Sequence, residues 1–322
     1  NAIAVSGGPG TGKRVVSLWR HIQNYGMNRR KSLLLTYTVS LERYLKSSAI
    51  SENPSAGLNV NRTYFWTIHK ATDVYDEIII DEAQDVNHHK YEQIRDLSPM
   101  VSYSADDNQI MYPDQATTEA QLQRLFNNSV YILHANYRNS KQIVRFVKSL
   151  FPNTIISDGN FNATKPQLIC SDGINDNQTQ IIKDVINTFQ SDVHNIAVLV
   201  PLESHVRYWH GVLQNSGYIC SMYVNTEEEL NAIENIHITT YKSCKGLEFD
   251  TVIIPFFNRF QDFIDGALDV VTENDYYVVL TRSKRNLILI DHQPTINGDC
   301  SIPFMQNQIN NKIVDVEKKY LK

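Results

Sequence analysis

Near the start of this chain, Gly7-Gly8-Pro9-Gly10-Thr11-Gly12-Lys13 lies between an apolar segment, Ala2–Ser6, and a segment with helical apolar spacing at Val15, Val16, Leu18, Trp19 and Ile22. A loop this rich in glycine can turn its backbone N–H groups onto an anion when a strand delivers it and a helix N-terminus closes it. The spacing G-x-x-x-x-G-K in that context specifies a phosphate loop on a parallel α/β sheet, with Lys13 reaching β- and γ-phosphates. Gly7, Gly8, Pro9, Gly10, Thr11 and Gly12 are therefore candidate nucleotide contacts. A glycine-rich turn without a ligand is the bland alternative, and the strand–loop–helix context weighs against it. Position 14 breaks the pattern. The motif wants a Ser or Thr hydroxyl there to ligate Mg2+, and this chain has Arg14, which carries donors only.

The rest of the chain supports the same class. Short apolar runs alternate with helical stretches, the pattern of a parallel α/β sheet. Expected strands are Ala2–Ser6, Ser32–Tyr37, Thr63–Thr67, Glu77–Ile80 and Met100–Ser104, then Gln167–Cys170, Ile196–Val200, Ile236–Thr240, Thr251–Ile254 and Asn286–Ile290. Helices are expected over Ser140–Phe151, Gln178–Gln190 and Ser204–Gln214, among others. A length of 322 residues is enough for about two domains. A polar stretch, Phe151–Pro166, separates the two strand series, and the boundary is placed after Tyr131–His134. The expectation is a first lobe over residues 1–134 and a second over 135–322.

One junction is too short. Only a handful of residues separate an expected strand ending at Thr67 from the strand at Glu77, where a parallel crossover needs about a dozen. A segment absent from the chain between His69 and Tyr75 would explain it. The chain also opens on Asn1, directly into a strand, so a segment upstream is expected.

Ile78-Ile79-Ile80-Asp81-Glu82-Ala83-Gln84-Asp85 is an apolar strand ending in carboxylates. Beside a phosphate loop, Asp81 is the candidate Mg2+ ligand. Glu82 is placed to orient and deprotonate an attacking water. An acid capping a helix start is the alternative.

With those residues in place, the chain resembles a superfamily 1 helicase of the UvrD/Rep-like group. D-E-A-Q-D is that group's form of the acidic strand end, with Gln84 coupled to nucleotide. Leu34-Leu35-Thr36-Tyr37-Thr38 resembles the L-x-T-x-T block, and Thr67-Ile68-His69 the T-x-H block. These imply nucleic-acid contacts at Thr36, Tyr37, Thr38 and His69. Ala105-Asp106-Asp107-Asn108-Gln109 with Tyr112 resembles G-D-x-x-Q-x-I-Y. It makes Gln109 a γ-phosphate sensor and Tyr112 a further nucleic-acid contact. Asn136-Tyr137-Arg138 resembles N-Y-R, implying that Tyr137 stacks on adenine and Arg138 reaches the γ-phosphate. Thr240–Phe249 resembles T-x-H-x-x-K-G-L-E-F, with Gly246 and Glu248 near nucleotide and Thr240 near nucleic acid. Tyr277–Lys284 resembles Y-V-A-L-T-R-A-K, with Arg282 as a second arginine finger. Taken alone, each arginine is more simply a surface ion pair. The resemblance implies RecA-like P-loop lobes with a nucleotide cleft between them, ATP and Mg2+ as cofactors, and single-stranded DNA, with RNA open, as partner.

The departures from that pattern are specific. Arg14 replaces a hydroxyl, Ala105 a glycine and Lys242 a histidine. Pro113-Asp114-Gln115 stands where an aromatic-Arg-Gly run would supply base stacking worth about 1–3 kcal/mol per base. The leading function is therefore an ATP-dependent single-strand translocase or helicase. The alternative is a nucleotide-gated regulatory or nucleic-acid-binding module with weak or no hydrolysis, controlling a partner enzyme such as a nuclease. A small-molecule P-loop kinase leaves K-G-L-E-F and L-T-R-S-K unexplained.

Charge and cysteines narrow the setting. A net charge of −5 excludes a globally basic nucleic-acid coater but not a local groove. Cys170, Cys220, Cys244 and Cys300 are widely spaced without a C-x-x-C pair, which fits a reducing, cytoplasmic setting. No apolar run approaches a membrane span. Arg29-Arg30-Lys31 and Glu227-Glu228-Glu229 read as solvated, and His88-His89 lacks partners at zinc spacing.

Overall fold

The computed structural model describes residues 1–27, 29–69, 72–173, 175–224, 233–266, 271–292 and 302–321. Contacts divide the chain into two units, Asn1–Asn136 with Ile155–Ser157, and Tyr137–Thr154 with Asp158–Lys322. The expected boundary after His134 falls just before Asn136. Part of the polar stretch read as a separator, Ile155–Ser157, belongs to the first unit.

The first unit carries strands β1 (Ile3–Ser6), β2 (Ser32–Thr36), β3 (Val60–Arg62), β4 (Glu77–Ile80), β5 (Val101–Ala105) and β6 (Ser129–Ile132). They form one parallel sheet in the order β3-β2-β4-β5-β1-β6. Its helices are α1 (Lys13–Gly26), α2 (Val39–Glu52), the single turn α3 (Pro54–Gly57), α4 (Thr63–His69), α5 (His88–Asp96) and α6 (Glu119–Phe126). Leu33, Leu35, Ile78 and Ile80 bury against Trp66, Tyr91 and Ile94 on one face, and Leu34 and Ile79 bury against Ile22, Leu41 and Leu45 on the other. Burial on both faces is why β2 and β4 read as uninterrupted apolar runs.

Thr63–Thr67 is not a strand. It opens α4, and the preceding Val60–Arg62 pairs with β2 instead. The β-branched and aromatic content points to a strand, but the burial does not: Thr63, Trp66 and Thr67 are buried while Tyr64 and Ile68 are exposed, a helical spacing. Thr67 donates its hydroxyl to the Thr63 carbonyl at 2.9 Å, one turn back. The strand before β4 thus ends at Arg62, not Thr67, which removes the length argument for an absent segment between His69 and Tyr75; Lys70 and Ala71 lie outside the described residues.

The second unit holds β7 (Gln167–Ser171), β8 (Ile196–Val200), β9 (Ser221–Tyr223), β10 (Ile236–Thr240), β11 (Phe249–Ile254), β12 (Ser283–His292) and β13 (Asp315–Tyr320). They form a parallel sheet in the order β13-β7-β12-β11-β8-β10-β9. Helices α7 (Lys141–Leu150), α8 (Asn175–Phe189) and α9 (Glu203–Asn215) match the expected ones within a few residues. Ile181, Ile182, Ile186, Val206, Trp209 and Leu213 pack on Val198, Ile238, Ile253 and Ile288. Three shorter helices follow among the described residues, α10 (Phe260–Gly266), α11 (Glu273–Leu280) and α12 (Gln306–Asn310). The strands that the sequence pattern does not announce, β3, β6, β9 and β13, all lie at sheet edges, where apolar burial on both faces is not required. Cys220 and Cys244 are free and buried, and Cys170 is disulfide-bonded. Among the described residues no helix is long and apolar enough to cross a membrane. Glu227-Glu228-Glu229 falls outside them.

Candidate nucleotide-binding site

The site begins where β1 ends. The chain turns through Gly7–Gly12 and enters α1 at Lys13, with Gly12 as N-cap at φ 96°. Gly7 is required by close approach: a Cβ there would lie 2.7 Å from the Leu133 carbonyl oxygen. Thr11 donates to the Gly8 carbonyl at 2.8 Å, bracing the turn. The Lys13 ammonium donates to the carbonyls of Gly7 and Gly8 and lies 3.4 Å from Asp106 Oδ2. The phosphate-loop lysine is thus held by its own loop and by the carboxylate at the end of β5.

Asp81 and Glu82 follow β4 and are almost fully buried. Arg14 meets both. Its Nε donates to Asp81 Oδ2 at 3.2 Å and its Nη2 to Glu82 Oε1 at 3.1 Å. Ser104 on β5 donates to Asp81 Oδ1 at 2.7 Å. Burial pushes the Asp81 carboxyl above its ordinary range, Arg14 pulls it down, and the neighbouring Glu82 charge pushes it up again. Glu82 also accepts from Gln84 Nε2 at 2.8 Å, and Gln84 Oε1 accepts from the Asp106 backbone N–H at 3.2 Å. Gln109 donates to Asp106 Oδ2 at 2.6 Å. Lys13, Arg14, Asp81, Glu82, Gln84 and Gln109, chosen from separate motifs, therefore share one hydrogen-bonded network. Sequence reasoning missed its hub, Asp106, and Ser104. Asp106 lies within the quoted A-D-D-N-Q block, but Ser104 carries no motif signal.

Mg2+ requires oxygen donors with accessible lone pairs, conventionally an Asp carboxylate and the hydroxyl absent at position 14. Here both Asp81 oxygens accept hydrogen bonds, and the cation facing them is a guanidinium. The donor set does not fit Mg2+.

The expected nucleic-acid contacts of this unit fall near the ends of β2 and β3. Thr36 is buried, its hydroxyl has no partner among the described residues, and its carbonyl accepts from Thr63 Oγ1 at 3.2 Å, which places the start of α4 beside Tyr37. The rings of Tyr37 and Tyr112 lie 5.6 Å apart. Burial raises the Tyr37 phenol. Thr38 caps α2 by accepting from the Leu41 N–H at 3.3 Å. His69 ends α4 with its ring 4.8 Å from Phe65.

In the second unit, Tyr137 is exposed and Arg138 pairs with Glu248 at 2.8 Å. Gly246 turns at φ 88°. Thr240 accepts from the Ser243 N–H at 3.1 Å, closing the turn after β10. Arg282 differs from an exposed finger. It is 1% exposed, and its guanidinium donates to the carbonyls of Val278 at 2.9 Å and Leu247 at 3.5 Å.

Comparison with known proteins bears on both units. Residues 210–294 match the UvrD-like helicase C-terminal domain, a range that includes the Thr240–Phe249 and Tyr277–Lys284 blocks. A protein of Acanthamoeba polyphaga mimivirus, described as a candidate ATP-dependent DNA helicase, is 22% identical over 276 residues. Those residues cover 76% of this chain, and the chain spans only 37% of that relative. The PRRSV helicase structure matches with a TM-score of 0.51 at 12% identity, over 94% of this chain and 55% of its own. An arterivirus nonstructural protein 10 helicase solved with DNA gives 0.50 at 15% identity, over 95% and 62%. At these identities the likeness shows the fold, an α/β architecture with two parallel sheets like those of RecA-like lobes.

Proposed function

We propose that this chain, a UvrD-like helicase relative that carries that family's C-terminal domain over residues 210–294, is the nucleotide-driven core of a helicase or translocase acting on single-stranded nucleic acid. The observation that carries the reading is the network at the carboxyl ends of adjacent parallel strands β4, β5 and β1, where open α/β sheets bind ligands. In this reading the loop Gly7–Gly12 and Lys13 hold the phosphates of ATP. Glu82 takes the proton of the attacking water, Gln84 couples to the nucleotide, and Gln109 reports the γ-phosphate. Tyr137, Gly246 and Glu248 serve the nucleotide, and Arg138 and Arg282 offset charge in the transition state. Thr36, Tyr37, Thr38, His69, Tyr112 and Thr240 serve the nucleic acid, with single-stranded DNA the first substrate to try and RNA the second. The setting proposed is the cytoplasm.

Arg14 favours a second reading, a nucleotide-gated module with little hydrolysis that controls a partner such as a nuclease. The motor reading calls for Mg2+ at Asp81, which the Arg14 contacts leave unsupported. Steady-state ATP turnover, with and without single-stranded DNA or RNA, separates the two. Stimulated turnover that Lys13→Ala abolishes supports the motor. Nucleotide binding without turnover supports the module, and binding of neither nucleotide nor nucleic acid refutes both.

A further inference from the structure

At the strand end where a divalent ion would be expected, the acidic groups of Asp81 and Glu82 converge on one side chain. We infer that Arg14 is a built-in counter-cation of this site, so that a nucleoside triphosphate binds there without any divalent ion. The inference rests on the nucleotide-binding reading above and deepens it.

The geometry is specific. Arg14 follows Lys13 directly, in the first turn of α1, so the phosphate loop and the cation move as one piece of backbone. Its guanidinium spans 3.2 Å to Asp81 and 3.1 Å to Glu82, and both carboxylates are nearly buried. An ordinary helix-to-sheet ion pair would need only one of them. Left unneutralised, these carboxylates would repel an incoming triphosphate across a partly desolvated gap, where charges are poorly screened. In sites that depend on a divalent ion, that ion cancels the repulsion. Here a side chain that stays protonated at all accessible pH offsets one of the two charges, and no chelator removes it.

The prediction separates charge from metal. Binding of a fluorescent ATP analogue to the full chain is measured in excess Mg2+ and in excess EDTA, for the parent, Arg14→Thr and Arg14→Lys. The parent's Kd should change by less than about threefold between the two buffers. Arg14→Thr should bind at least about tenfold more weakly in EDTA, the loss of roughly one charge-assisted contact, and recover in Mg2+. Arg14→Lys should keep most of the EDTA binding. A parent that binds only with Mg2+ overturns the inference and leaves the nucleotide site standing, as does an Arg14→Thr protein that binds equally in both buffers. Absence of binding by the parent in either buffer overturns the nucleotide reading as well. Melting curves confirm that the variants fold, and should Arg14→Thr not fold, the parent's comparison decides alone.

Discussion

Glu82 adopts φ 57° and ψ 45°, a left-handed conformation that costs a non-glycine residue about 1 kcal/mol or more. The cost is met by the turn it makes, in which the Asp85 N–H donates to the Glu82 carbonyl at 3.1 Å. That turn delivers the carboxylate to Arg14 and Gln84. Glu82→Gln keeps the size and the turn but cannot accept a proton, so it should keep nucleotide binding and lose hydrolysis. Turnover equal to the parent's would remove Glu82 from the chemistry. At this scale the sequence is a good guide wherever residues are neighbours along the chain, as in the loop Gly7–Lys13 and the pair Asp81-Glu82. It says nothing of Ser104 reaching Asp81, because only strand order brings β4 and β5 together. It flags Arg14 as foreign to the motif but not the contacts that Arg14 makes.

Among the elements, α4 shows why composition misleads. Thr, Tyr, Phe, Trp and Ile favour strands in general, yet the buried Trp66 and the hydroxyl bond from Thr67 to Thr63 fit only a helix. Helix α1 carries a testable consequence of its burial. His21 lies between Ser32 Oγ at 2.8 Å and the Ala56 carbonyl at 2.9 Å, an arrangement that suits the neutral ring, with Nε2 donating and Nδ1 accepting. Burial lowers its pKa from 6.5 to about 4. Between those values the unfolded chain binds a proton that the folded chain does not, so stability must fall as pH drops through that window. The slope for one such group is about 1.4 kcal/mol per pH unit. Denaturant unfolding at pH 7, 5.5 and 4.5 should show the decline, and His21→Gln, which still offers a donor to Ala56, should flatten it by about one proton. An unchanged slope in that variant would mean that His21 does not titrate as its surroundings require. His237 on β10, lowered to about 4 by burial, adds the same trend in the other unit.

For the whole molecule, the α/β class is legible because doubly buried strands and the helices between them leave a periodic trace. The edge strands leave none, and neither does the difference between the paired arginines, since an arginine's burial depends on residues far along the chain. Arg138 and Arg282 look equivalent in sequence but not in their surroundings. Arg138 makes a partly exposed pair with Glu248, which contributes about 0–1 kcal/mol to stability. Arg138→Ala should therefore melt closer to the parent than Arg282→Ala does, and if the residue offsets transition-state charge, it should lower nucleotide turnover by about 10³-fold. Arg282 is buried and donates to the carbonyls of Val278 and Leu247; Val278 also accepts from the Thr281 hydroxyl at 2.8 Å, so removing the guanidinium chiefly costs the Leu247 carbonyl its donor, at about 1–3 kcal/mol. Arg282→Ala should thus lower the melting temperature together with turnover. Turnover at saturating nucleotide and thermal melting of both variants would test the distinction. Equal melting with equal loss of turnover would make Arg282 a second finger despite its burial, and parental turnover in Arg138→Ala would remove Arg138 from the reaction.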